Sequence, residues 1–234
     1  MTYSNEIQWK RIVVEATAIV GSILLAFAID AWWEERLDQV RATEYLWQVR
    51  ADSHENILRL TEAIQLEKAQ LKATQEILTA LRSPDPMTLE SAREWTQFEP
   101  GYLWYSDPRL LEGAISALVA TGEVNLIDDH EIKASLINYL GQMKADMNEF
   151  DRGVDHYFRI RGEILRLLEL ARTPGDRPEQ DELAHELVTI WGEKEAAAAF
   201  RLLERNVSNR LWYLEQMLAA TEKFSNQFDS QSEH

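Results

Sequence analysis

Residues Ile12 to Ile29 read IVVEATAIVGSILLAFAI, the longest apolar run in the chain, with Glu15 as its one charged member. Trp9 precedes the run, and Trp32 and Trp33 follow it. At ~1.5 Å per residue, the stretch from Trp9 to Trp32 measures roughly 33 Å as a helix, about the hydrocarbon thickness of a bilayer, with indole rings at both interfaces. The pattern predicts a membrane-spanning helix over residues 12–33, anchored by Trp9, Lys10 and Arg11 on one side and by Trp32 and Trp33 on the other.

Beyond the apolar run the periodicity stays helical. No proline or glycine occurs between Trp32 and Arg82, so the spanning helix is expected to run without a joint into a long soluble one. Ile57, Ile64, Leu71 and Leu78 recur every seven residues, while a second row of Leu46, Leu60 and Leu81 is interrupted by Ser53, Glu67 and Thr74. One good row and one poor row favour packing within the chain's own bundle over a coiled coil between chains. Ser83-Pro84-Asp85-Pro86 ends this helix, and a short helix is expected near Thr88 to Gln97.

Glu99-Pro100-Gly101-Tyr102-Leu103-Trp104-Tyr105 is the least helical stretch. Asp107-Pro108 reads as a helix start and Gly122 as its stop, predicting a helix from Pro108 to Thr121. Val124, Leu126 and Ile127 form an apolar connector. Asp128 or Asp129 then caps a long helix with Ile132, Leu136, Leu140, Met143, Met147, Phe150 and Val154 on one face, ending near Arg172. After the turn Thr173-Pro174-Gly175-Asp176-Arg177-Pro178 comes a short helix to Trp191. A final helix from about Glu193 carries Phe200, Leu203, Val207, Leu211, Leu214 and Leu218 in a stripe, and Ser225 to His234 is expected to fray.

The predicted fold is therefore all-α: an N-terminal transmembrane helix continuing into an antiparallel bundle of three long helices, with short helices capping the end distant from the bilayer. The expected organisation is a short cytoplasmic tail (1–11), the transmembrane helix (12–33), a helical-bundle domain (34–228) and a disordered tail (229–234). Lys10 and Arg11 at the N-terminal edge favour a cytoplasmic N-terminus under the positive-inside bias, which puts the bundle on the opposite side of the membrane. Ala26-Phe27-Ala28 also has the form of a signal-peptidase site, but Glu15 inside the apolar run weighs toward an uncleaved anchor.

Composition narrows the chemistry. With 40 Asp and Glu against 24 Lys and Arg, the chain carries a net charge of −16, which argues against nucleic acid as a partner. There is no cysteine, hence no disulfide framework, thiolate nucleophile or cysteine-ligated metal. A Gly-x-Ser-x-Gly elbow, a phosphate-cradling glycine loop and a His-Glu-x-x-His helix are all missing from the sequence.

Three groups remain as candidates. Glu15, Ala18, Ser22, Ala26 and Asp30 advance by three or four residues and share one face of the spanning helix, where small side chains let another helix approach. Tyr102, Trp104 and Tyr105 offer a partner surface, against the stronger reading that they seal the open end of the bundle. Glu182-Leu183-Ala184-His185 has the Glu-x-x-His spacing of di-metal bundles, but no second copy accompanies it, so no metal or other cofactor is expected.

Two stretches, Gly21 to Arg36 and Ala117 to Asp129, resemble an uncharacterised bacterial family of N-terminally anchored, single-pass helical membrane proteins. There the spanning helix ends in an Asn- or Asp-x-Trp motif, here Asp30-Ala31-Trp32, and a later glycine turn precedes a helix, here Thr121-Gly122-Glu123-Val124. The resemblance implies bacterial origin and architecture and carries no catalytic residue. The expectation is a non-enzymatic membrane protein that contacts the bilayer and either a membrane-protein partner or copies of itself. A ligand-binding sensor domain signalling through a partner is the alternative, and a metal-dependent enzyme resting on Glu182 and His185 comes last.

Overall fold

The computed structural model describes residues 9–82, 87–97, 105–167, 180–190 and 194–231. Among them are six α-helices and one 3-10 turn, with no strand. Helix α1 (Trp9–Ala80) is unbroken over 72 residues, roughly 108 Å at the usual rise. No helix-breaking residue interrupts it, as its sequence led us to expect. Its N-terminal part is long and apolar enough to cross a membrane, and none of that apolar stretch is buried. The first fully covered side chain is Ala42, where the bundle begins.

Helices α4 (His130–Leu167) and α6 (Lys194–Gln231) complete the set of three long rods. Helix α6 is the middle one, packed against α1 on one side and α4 on the other. Asp129 caps α4, its Oδ1 accepting from the amides of Glu131 (2.8 Å) and Ile132 (3.0 Å). The expected apolar face of α4 is the buried one: Leu136, Leu140, Met143 and Phe150 are covered, with Ile132, Met147 and Val154 packed beside them. Phe200, Leu203, Val207 and Leu214 of α6 are likewise buried.

Two apolar clusters divide the bundle along its length. The one nearer the N-terminal apolar segment, the proximal cluster, gathers Val49, Leu60 and Ile64 of α1 with Leu136 to Phe150 of α4 and Leu214, Met217, Phe224 and Phe228 of α6. The distal one gathers Ile77, Leu78, Tyr157, Ile160, Ile164, Phe200 and Leu203.

Four expectations need correction. The short helices do not all cap the distal end: α2 (Leu89–Gln97) and α5 (Gln180–Thr189) pack on each other beside the distal cluster, but α3 (Gly113–Ala120) and the 3-10 turn Glu123–Leu126 lie against the proximal half of α1. Helix α3 starts at Gly113, not Pro108. Asp107 accepts from the amide of Arg109 two residues on, closing a local turn, and Arg109 adopts a left-handed φ of 45° that a helix forbids. Helix α6 continues through the polar stretch to Gln231, because Phe224, Ser225 and Phe228 are buried in the proximal cluster. Finally, the polar members of the interrupted row are no surface positions: Ser53, Glu67 and Thr74 are buried with Leu60, as Ile64 and Leu78 of the apolar row are.

Candidate functional site

The candidates of the N-terminal apolar segment are placed as the helix period dictates. Ala18, Ser22, Ala26 and Asp30 lie on one side of α1 with Glu15, and all are exposed along the apolar stretch. The hydroxyls in this stretch are satisfied within the helix, Thr17 Oγ1 donating to the Val13 carbonyl and Ser22 Oγ to that of Ile19, both at 2.8 Å. Ser22 is therefore free to sit at a lipid or helix contact without an unpaired donor. Trp9, Trp32 and Trp33 are exposed at the two ends of the stretch, and the Trp32 and Trp33 rings stand 6.1 Å apart. The side chains of Lys10 and Arg11 lie outside the described residues.

Of the aromatic segment, Tyr102 and Trp104 lie outside the described residues. Tyr105 is half-buried, its ring 5.8 Å from Tyr157 and 5.2 Å edge-on from Phe158. Its neighbour Ser106 binds Glu67, so this end of the segment is fastened to the waist of the bundle, not to its distal end. His185 is exposed and its Nδ1 lies 2.7 Å from the Asp181 carbonyl. Among the described residues no cluster of three or more histidine and carboxylate side chains is placed to hold a metal.

The most unusual chemistry lies at the waist, between the two apolar clusters. Arg210 of α6 and Glu67 of α1 are completely buried, with Nη2 donating to Oε2 at 2.8 Å. The same Nη2 donates to Gln70 Oε1 at 2.7 Å, and the guanidinium lies 4.8 Å from the centre of the Tyr157 ring. Glu67 Oε1 takes two further donors, the amide of Ser106 at 3.1 Å and its hydroxyl at 2.9 Å. Gly153 makes the space: a Cβ there would stand 2.8 Å from Arg210 Cγ. Asn206 Nδ2 donates to the Gly153 carbonyl at 2.9 Å, tying α6 to α4 at the same level.

This layer is incompletely paired. Arg210 Nε and Nη1, Asn206 Oδ1 and the Tyr157 hydroxyl have no hydrogen-bond partner among the described residues. Burial pushes the Tyr157 phenol well above the usual tyrosine range, against the opposing pull of Arg161 and Arg210, so it is a neutral donor at any physiological pH.

On the outer side of the same level, a cleft of about 710 Å³ opens between α4 and α6. Arg152, His156, Arg205, Asn209 and Trp212 line it, with Gly153 and Asn206 behind them. Arg152 pairs with Glu149, while Arg205 makes no ion pair among the described residues. No family model, no curated protein and no solved structure matches the chain.

Sequence reasoning missed the waist. Glu67 was visible only as a fault in an apolar row. Arg210 occupies a place between Val207 and Leu214 on an otherwise apolar stripe, and a charge interrupting each of two stripes was the signal available. A single sequence does not say that the two faults face each other.

Proposed function

We propose that this chain is a single-pass bacterial inner-membrane protein, N-terminus in the cytoplasm, whose periplasmic helical domain serves protein contact and not catalysis. The observation that carries this reading is the continuity of α1. One rigid rod supplies both the exposed apolar segment of 12–33 and the first helix of the bundle, so the domain stands at a fixed height and angle above the bilayer. The likeness at Asp30-Ala31-Trp32 and at Thr121-Gly122-Glu123-Val124 supports the bacterial setting, and Lys10 and Arg11 support the orientation.

Carbonate washing of membranes tests the anchor, and a single cysteine tests the side. Because the natural chain has none, a Glu62→Cys variant reports alone, and an impermeant maleimide should label it from the periplasm of intact cells. Release of the protein by carbonate overturns the anchor. Labelling only after the inner membrane is broken overturns the orientation.

The second reading, a sensor domain, is favoured by the cleft with Arg205, His156 and Trp212 on its walls. A small anion with a flat apolar face suits that lining. A thermal-shift screen with mono- and dicarboxylic aromatic acids tests it, since a ligand of the folded state must raise the melting temperature.

A further inference from the structure

Helix α1 is apolar on two opposite faces, and the bundle uses only one of them. Counting about 100° per residue, the side chains it buries between residues 42 and 67 (Ala42, Val49, Ser53, Asn56, Leu60, Ala63, Ile64 and Glu67) fall within an arc of about 100°. Trp33, Leu37, Val40, Trp47 and Leu58, all exposed, fall within a second arc of about 80° roughly opposite the first. The spacing Trp33, Leu37, Val40, Glu44, Trp47, Ala51 alternates four and three, the 3.5-residue repeat of a left-handed coiled coil. Trp47 is 68 % exposed and Leu58 66 %, well outside the apolar segment of 12–33. Isolated exposed apolar residues need no explanation, but a continuous row of them does.

Followed toward the N-terminus, the same arc contains Ala26, Ser22 and Glu15, with Asp30 and Ala18 about 20° beyond its two edges. One stripe thus runs from bilayer depth into the aqueous domain, with Glu44 and Glu55 among its apolar members. We propose that this stripe is the seam of a parallel homodimer in which α1 of one copy packs along α1 of a second. This rests on the membrane reading above and names its partner.

The geometry selects a second copy. A cover for the stripe must be a helix that crosses the bilayer and continues some 38 Å past Trp33 to reach Leu58, on the same side and without a break. The α1 of another copy has that shape, and insertion by the same terminus sets the two parallel and concentrates them in one plane. In a two-fold arrangement each stripe residue meets its own counterpart, so Trp47 packs on Trp47 and Val40 on Val40. Helix α6, α3 and the 3-10 turn, which pack on α1, leave Trp33, Leu37, Val40, Trp47 and Leu58 exposed.

The area suffices as well. Trp33 and Trp47 together offer roughly 200–300 Å². Leu37, Val40, Leu58 and the small residues of the membrane stripe extend this toward the ~800 Å² per partner of a standard interface. Glu44 on the stripe faces its own copy and weakens the seam by like-charge repulsion.

A cysteine-free background makes the test direct. Leu37→Cys, Val40→Cys, Trp47→Cys and Ala51→Cys, each alone in the full chain, are oxidised mildly in native membranes beside Glu35→Cys and Gln39→Cys, which are exposed on other faces. Same-residue disulfide dimers at the four stripe positions, several-fold above the two controls, are expected. Val40→Glu with Trp47→Glu should reduce the detergent-solubilised particle to a monomer with its helix content unchanged. Equal or absent cross-linking at all six positions, with the chain still in the membrane fraction, overturns the seam and leaves the anchor standing. Cross-linking of the stripe to a different protein overturns the second copy as its occupant. Recovery of the chain in the soluble fraction overturns the membrane reading itself.

Discussion

Arg210 and Glu67 are 143 positions apart in the chain, yet their side chains meet at 2.8 Å with no exposure to solvent on either. They join the first and last helices at the level where two apolar clusters adjoin. A charge pair placed there is expensive to desolvate, and its attraction offsets that expense only while both partners are present. Its value is positional: α1 and α6 can slide relative to each other only by separating two buried charges.

Removing one partner should therefore hurt more than removing both. Arg210→Met is expected to cost about 3–5 kcal/mol, because it leaves the Glu67 carboxylate buried without its cation. In the double variant Glu67→Leu, Arg210→Met the residual loss should fall to about 1–3 kcal/mol, the penalty of the Ser106 amide and hydroxyl left without an acceptor. Urea unfolding of the full chain in mild detergent, followed by circular dichroism, measures this. Additive single losses would show that the pair is not coupled.

The three glycines within α4 behave differently on paper and should do so in the tube. Gly141 and Gly162 face open space, so alanine at either should stabilise by about 0.5–1 kcal/mol through helix propensity. Gly153→Ala places its new methyl 2.8 Å from Arg210 Cγ, in a side chain held at its far end by Glu67 and Gln70, and should destabilise by about 1–3 kcal/mol. In an Arg210→Ala background the same change should turn stabilising. If Gly153→Ala costs the same in both backgrounds, the cause lies elsewhere.

What could be read from the sequence was local and periodic. The unbroken α1, the apolar faces of α4 and α6, the cap at Asp129 and the stop at Gly122 follow from residues within one or two turns of each other. Gly122 is an instance, since its φ of 79° is available to glycine at no steric penalty. What escaped was contact between distant segments. Arg210 meeting Glu67 is one case; Asn56 is another, because its grip on Leu111, 55 residues away, replaces the helical turn that Asp107-Pro108 alone suggested. Polar side chains in the core have no period to betray them. Some of these groups are met from a distant segment, as Glu67 is by Arg210 and Ser106, and others within their own helix, as Thr74 is by the Gln70 carbonyl.

Asn56 is almost wholly buried and reads the backbone of Leu111 in both directions, Nδ2 donating to its carbonyl at 2.8 Å and Oδ1 accepting from its amide at 2.7 Å. It is one of three fastenings that hold residues 105–112 along α1, beside Glu67 on Ser106 and Arg59 on the Arg109 carbonyl. Asn56→Ala should cost about 1–3 kcal/mol and leave two backbone groups unpaired. Limited proteolysis offers a local readout: cleavage near Arg109 should accelerate well beyond the overall loss of stability. Cleavage that merely tracks global unfolding would assign Asn56 no such local role.

Acid should relieve part of a strain that neutral pH imposes on α4. Burial raises the carboxyl of Asp146 above its ordinary value of 3.8, a hydrogen bond from Gln142 opposing, and its Oδ2 is buried with no partner among the described residues. Asp151 is raised in the same direction by burial and by repulsion from Asp107 and Asp155. A carboxyl raised in the folded state binds its proton more tightly there than in the unfolded chain. Its contribution to stability is thus greatest below the unfolded value and falls as pH climbs through the folded one. Asp146→Asn, which never ionises, should melt about 1–2 °C above the natural chain at pH 7. The gap should narrow as the pH is lowered toward the ordinary aspartate value. Melting curves at pH 4, 5, 6 and 7 decide the matter, and a gap independent of pH would mean that Asp146 is not destabilised by its charge.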